Sequence, residues 1–266
     1  MRQIPGAGSV TIAGEEEAGG GQPLVLLHGL SATRRNVVQG SRLLARRGYR
    51  LVTYDARGHG ASSPAPSYTY ADLADDLTAV LSDRDLDQVV LVGSSMGAAT
   101  AMAFALAHPD RVAALVQITP AFRGEADGAG RWDRLADALE RGGVDAFVEA
   151  NDPDSLPERW REPVRRAVQQ RMERHAHPDA VAAALREVPR SLAWEGGMEA
   201  LDRLEVPTLV VGSRDDSDPT HPLATAEEYA RRLPNGRLVV EDEGQAPLAW
   251  QGGRLSEAID EFLASA

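Results

Sequence analysis

Six short runs of continuous apolar residues recur along the chain: 23–27 (PLVLL), 49–54 (YRLVTY), 88–92 (QVVLV), 113–118 (AALVQI), 208–211 (TLVV) and 237–240 (RLVV). Uninterrupted runs of this length, unlike alternating ones, predict strands covered on both faces. Helical patterns fall between them. Residues 70–81 place Leu73, Leu77 and Val80 at helical spacing, 95–107 is small and apolar, and 221–233 and 255–263 read as amphipathic. Strand-helix alternation predicts an α/β fold, a doubly wound and mostly parallel sheet with right-handed crossovers. The rhythm breaks from 121 to 204, where only helical patterns occur, at 132–139, 144–150, 157–175 and 178–188. The pattern therefore predicts a core formed by residues 1–120 and 205–266, with an inserted helical unit over 121–204. Residues 15–21 read as a polar turn before the first buried strand.

Composition narrows the function classes. The 266 residues carry 28 basic and 40 acidic side chains, a net charge of -12. Such a surface repels polyanions, so no nucleic-acid partner is expected. The chain has no cysteine, which removes disulfides, thiolate metal sites and cysteine nucleophiles. Every basic residue is Arg, which excludes a Schiff-base lysine. No run approaches a membrane span and residues 1–21 lack a signal-type apolar stretch, so a cytoplasmic protein is the expectation. The expected partner is a small-molecule substrate, with no membrane and no cofactor; monomer and homo-oligomer both stay open.

The chemistry concentrates at Gly93-Ser94-Ser95-Met96-Gly97, which follows the run QVVLV and opens a helical pattern. A strand-turn-helix of the G-x-S-x-G type needs small flanking residues and lifts the serine oxygen above a helix N-terminus. His28-Gly29-Leu30 follows the first buried run. Tyr54 to Ser62 reads Tyr-Asp-Ala-Arg-Gly-His-Gly-Ala-Ser, and Gly212-Ser213-Arg214-Asp215 precedes Pro219.

With these motifs in this order, the chain resembles the α/β-hydrolase fold superfamily, in its cap-bearing branch of small esterases and lactonases. The resemblance implies that Ser95 is the nucleophile and that Asp215 orients a general base. It implies an oxyanion hole built from the backbone N–H groups of Leu30 and Met96. The insertion at 121–204 would be the cap. The activity it implies is hydrolysis of a small carboxylic ester or lactone through an acyl-enzyme at Ser95.

One position departs from the family pattern. The histidine expected after the last strands, in a Gly-His-x-Pro setting, is Gln245 within Glu243-Gly244-Gln245-Ala246-Pro247. A glutamine amide donates and accepts hydrogen bonds but does not titrate near neutrality, so it cannot store the serine proton. Impaired turnover is the expectation. Three explanations stand: a His-to-Gln variant, a natural member that needs no base, or service by another histidine. The second keeps alternative functions open, a non-catalytic small-molecule-binding protein or a lyase or cyclase using the same pocket.

The remaining candidates have ordinary readings. His28 and His59 read as structural. His221, close to the acid loop at a helix start, is the alternative base. His175 and His177 read as an exposed helix end, and His108 as a partner of a helix C-terminus. Asp216 and Asp218 compete with Asp215 for the acid role. Asp55 reads as a turn residue. Trp132, Trp160 and Trp194 read as packing between helices of the insertion. The acidic cluster around Asp215 lacks metal-ligand spacing, so no metal is expected.

Overall fold

The computed structural model describes residues 2–17, 19–126, 130–152, 156–215, 218, 220–246, 250 and 252–265. Asp216, Pro219 and Pro247 lie outside the described residues. Eight strands form one sheet: β1 (Arg2–Pro5), β2 (Thr11–Glu17), β3 (Pro23–Leu27), β4 (Arg50–Tyr54), β5 (Val89–Ser94), β6 (Val112–Ile118), β7 (Thr208–Gly212) and β8 (Gly236–Val240). The helices are α1 (Leu43–Arg46), α2 (Tyr70–Asp83), α3 (Met96–Ala107), α4 (Gly130–Ala150), α5 (Glu158–Met172), α6 (Pro178–Glu187), α7 (Leu223–Arg232) and α8 (Gly253–Leu263).

Strand order is β1-β2-β4-β3-β5-β6-β7-β8. Pairing is antiparallel from β1 through β2 to β4 and parallel from β4 to β8. The central runs are continuous because both faces are covered: Val25, Val90, Leu91, Val92, Leu115 and Val116 are fully buried. One apolar cluster packs α2, α3 and α7 against the sheet, and a second packs α8 against the other face. Chain order reverses between β3 and β5, which leave in opposite directions across the sheet. In an open α/β sheet, the crevice at the carboxyl ends of two such strands is the ligand site. Leu27 pairs with Gly93 there, so His28-Gly29-Leu30 and Ser95 emerge side by side.

Residues 15–17, read as a turn, are instead the end of β2, whose Glu15, Glu16 and Glu17 pair with Thr53, Val52 and Leu51. The carboxylates point to arginines: Glu16 accepts from Arg50 (2.7 Å) and Arg84 (3.2 Å), and Glu15 from Arg34 (2.6 Å). Polar side chains in a strand near the sheet edge need only a backbone ladder and surface ion partners.

No strand occurs among the described residues between β6 and β7. Helices α4, α5 and α6 pack on one another through their own apolar cluster, with Leu135, Leu139, Phe147, Met172 and Leu185 buried. Gly143, at φ 65° and ψ -155°, breaks α4 between the two helical patterns read in the sequence.

Candidate active site

The Ser95 turn is held by its neighbours' lack of side chains. A Cβ on Gly93 would sit 2.3 Å from the carbonyl oxygen of Gly97, and one on Gly97 would sit 2.2 Å from that of Leu27. Both obstacles are backbone, so neither can yield. Ser95 itself has φ 52° and ψ -111°, a strained conformation of the kind that accumulates at functional sites. Its amide is tied to Ile118 O (3.1 Å) and its carbonyl accepts from Ala99 (3.0 Å). The side chain makes no capping bond to α3, which leaves the hydroxyl to other partners. Met96 opens α3, so its N–H is among the helix's unsatisfied first donors.

The loop after β3 lies against this turn. A Cβ on Gly29 would come within 3.3 Å of Ser95 Cβ, so glycine lets the backbone approach the nucleophile. His28 is buried and bridges the loop to its neighbours. Its Nδ1 donates to Gly29 O (2.8 Å) and its Nε2 accepts from the Ala56 N–H (2.9 Å). Both nitrogens are committed and burial pushes its pKa down, which is the structural role expected of it. Asp55 does fasten the following turn, accepting from the N–H groups of Arg34 (2.8 Å) and Ala61 (3.0 Å) and from the Arg34 guanidinium.

The structure brings His221 to Ser95. His221 Nε2 lies 2.8 Å from Ser95 Oγ, and His221 Nδ1 lies 2.7 Å from Asp218 Oδ2. The other Asp218 oxygen accepts from the Thr220 hydroxyl (2.5 Å) and the Thr220 N–H (3.1 Å). These bonds and the imidazole hold the Asp218 carboxyl well below the usual carboxylate range despite its burial. An Asp that grips the backbone two residues on forms a tight turn. That turn puts carboxylate and imidazole three residues apart on one loop, between β7 and α7.

Two expectations are thereby corrected. Gln245 is exposed and does not reach Ser95. Its amide nitrogen donates to Asp242 Oδ2 (3.2 Å) and its oxygen accepts from Arg254. The segment that carries it follows β8, and the imidazole on Ser95 Oγ is that of His221. Asp215 lines a cavity at Ser95, and its carbonyl accepts from the Asp218 N–H (3.1 Å), but the carboxylate on His221 is that of Asp218. Leu30 and Met96 line one cavity together with Ser95.

Sequence reading missed the residue that fixes this loop. Glu241, just past β8, is 1% exposed. Its carboxylate accepts from Ser213 Oγ (2.8 Å), the Arg214 N–H (2.7 Å) and Trp250 Nε1 (3.1 Å). A charge-bearing residue at the end of an apolar run was the available signal. His175 was also misread: it is 6% exposed, not a helix end in solvent. It accepts from the Gly60 N–H (2.9 Å) and donates to Ser31 O (3.2 Å), so the insertion touches both core loops beside Ser95. Its ring neighbours His59, which neighbours His28, with centroids 5.6 and 5.2 Å apart.

Two cavities meet at Ser95. One, of about 530 Å³, runs past Tyr70, Met96, Phe122 and Pro222. The other, of about 700 Å³, reaches under α4 and α5 past Leu135, Phe147, Trp160 and Val168. Trp132 borders both, whereas Trp194 is buried against Phe122 with its indole N–H on Gly197 O (2.8 Å).

Comparisons with known proteins agree with this architecture. A thermophilic esterase of Thermogutta terrifontis superposes with a TM-score of 0.80 at 28% identity, covering 99% of this chain and 98% of that one. An enol-lactonase of Burkholderia xenovorans shares the fold, with a TM-score of 0.79 at 20% identity over 99% of this chain and all of that one. An sn-1-specific diacylglycerol lipase of Danio rerio is 40% identical over 101 residues, 38% of this chain and 32% of the lipase. The first curated relatives are matched over about a third of their own length. The sequence model of the alpha/beta hydrolase fold matches residues 22–252, and the chain belongs to the alpha/beta hydrolase fold family.

Proposed function

We propose that this protein hydrolyses small carboxylic esters or lactones through an acyl-enzyme at Ser95, with His221 as general base and Asp218 as its orienting acid. The observation that carries this is the hydrogen-bonded chain from Ser95 Oγ through His221 to Asp218, at 2.8 and 2.7 Å. The Asp218 bond keeps a proton on Nδ1, so Nε2 is free to accept the serine proton. As Ser95 attacks a carbonyl, the imidazolium that forms is stabilised by the Asp218 carboxylate. The carbonyl oxygen gathers negative charge next to the N–H groups of Leu30 and Met96, with the positive end of α3 behind them. His221 then returns the proton to the leaving alcohol, and a water repeats the sequence on the acyl group.

The binder and lyase readings were motivated by a missing base. A histidine hydrogen-bonded to Ser95 speaks against that motive, and in the proposed mechanism Gln245 takes no part. Relatives named as an esterase, a lactonase and a lipase support the ester-hydrolase reading.

The test is a fluorophosphonate probe followed by intact mass, alongside turnover of 4-nitrophenyl butyrate. One adduct located on Ser95 and steady release of nitrophenol are expected, both lost in Ser95→Ala. A chain that is neither labelled nor able to turn over the ester sinks the proposal.

A further inference from the structure

Two arginines of the inserted helices border the larger cavity at Ser95, Arg131 of α4 and Arg171 of α5. The Arg171 side chain has no hydrogen bond and no ion pair among the described residues, and its Nε is shut off from solvent without an acceptor. Arg131 has one long contact, from its guanidinium to Asn151 Oδ1 (3.5 Å), and its Nε is likewise buried and unsatisfied. The chain carries 40 acidic side chains for 28 basic ones, so carboxylates are not scarce. Three arginines in or against the core do have carboxylate partners, Arg57 with Asp72 and Asp76, Arg34 with Glu15 and Asp55, and Arg84 with Glu16, although Arg34 Nε and Arg84 Nε and Nη2 are also buried without an acceptor.

An unpaired, partly desolvated guanidinium is costly, because its five donors exchange water for nothing. Burial alone pushes Arg171 below the usual arginine range. The charge of Asp218 opposes that shift, but Asp218 is already hydrogen-bonded to His221. A planar guanidinium matches a carboxylate through two parallel N–H···O bonds, and the gain is largest where water is excluded. Two such groups share the wall of the reacting cavity with apolar Phe147 and Val168 and with Asp152, Asp215 and Asp218, and they offer an end for a short chain that terminates in an anion.

We propose that the substrate carries a carboxylate on one half of its ester, and that Arg171 and Arg131 receive it. This deepens the ester-hydrolase reading and rests on it for the location of the reacting bond. The carboxylate end lies under α4 and α5, and the ester carbonyl lies at Ser95. Specificity then comes from the insertion rather than from the core.

Two matched pairs of esters test this. In one, the 4-nitrophenyl monoester of adipic acid is compared with 4-nitrophenyl hexanoate, which places the carboxylate on the acyl half. In the other, 4-acetoxybutyrate is compared with butyl acetate, which places it on the alcohol half. In one pair the carboxylate ester should be preferred in kcat/KM. Arg171→Gln and, separately, Arg131→Gln should each cut that preference by about ten- to a hundredfold, as expected for losing a charge-assisted hydrogen bond. The ratio is the readout because removing Arg171 also takes a cation from the neighbourhood of Asp218, an effect common to both esters. Adipate itself is titrated calorimetrically into Ser95→Ala, with and without Arg171→Gln, and should bind more weakly in the double variant by a similar factor. No preference in either pair, or a preference that survives both arginine changes, overturns the inference. If no ester is hydrolysed, the hydrolase reading fails by itself and the adipate titration decides alone. Adipate binding that ignores Arg171 then overturns the anion site.

Discussion

Ser95 is held at φ 52° by a turn whose neighbours could not carry a Cβ. A left-handed φ on a non-glycine residue stores of order 1–3 kcal/mol. Comparing two variants that both lack the hydroxyl isolates that strain. Ser95→Gly should be more stable than Ser95→Ala by about 1 kcal/mol in urea unfolding, with both inactive. Equal stabilities would show that the turn is relaxed. The flanking glycines answer in the opposite sense. Gly97→Ala drives a methyl onto the Leu27 carbonyl, 2.2 Å away, and should cost about 3 kcal/mol or more. A midpoint unchanged from the parent protein would contradict the close approach.

This residue-scale geometry was legible in the sequence where spacing alone determines it. Glycine-flanked Ser95 after an apolar run left one reading, and the His28 loop another. The acid and base were not legible to the same degree. Asp215, Asp216 and Asp218 sit within four positions, and which one meets the imidazole depends on a turn closed by Thr220. The late-chain alignment drew attention to Gln245, because order along the chain does not report that His221 Nε2 ends 2.8 Å from Ser95.

At the scale of elements, the loop from β7 to α7 has few apolar anchors and relies on one buried carboxylate. Glu241 gathers Ser213, Arg214 and Trp250 around it. Removing one partner of a buried charged network strands the others. Glu241→Ala should therefore cost about 3 kcal/mol in urea unfolding and lower kcat as Asp218 and His221 lose their alignment. Stability lost with kcat intact would show that the catalytic turn stands without this support. Strands β3 to β8 were readable to within two residues at their ends, since apolar runs covered on both faces leave little freedom; β8 is the exception in burial, an edge strand with no buried residue. The antiparallel β1 and β2 were not. They are held by a backbone ladder, by Ile4 and Ile12 buried in the core, and by glutamates satisfied by arginines far away in sequence.

At the scale of the whole molecule, the inserted helices and the core meet around three buried histidines. Burial pushes His175 down to about 4, His28 down, and His59 well down. The unfolded chain takes up these protons near the ordinary imidazole value of about 6.5. Between pH 6.5 and 4 the unfolded state binds more protons than the folded one, so stability falls as pH is lowered through that window. The slope should approach about 1.4 kcal/mol per pH unit for each histidine that stays neutral when folded. Urea unfolding across this range, with His175→Asn shallower than the parent protein, is the expected result. Identical slopes would mean that His175 is protonated without opening the contact to Gly60 and Ser31.

Turnover at Ser95 depends on which residue takes its proton, and one comparison of rates addresses that residue. On a single chromogenic ester, His221→Ala should lose about 10⁴- to 10⁶-fold in kcat. Gln245→Ala, an exposed substitution, should stay within about threefold of the parent protein. A His221→Ala protein that keeps its rate, or a Gln245→Ala protein that loses its own, would contradict the placement of His221 as the residue that activates Ser95.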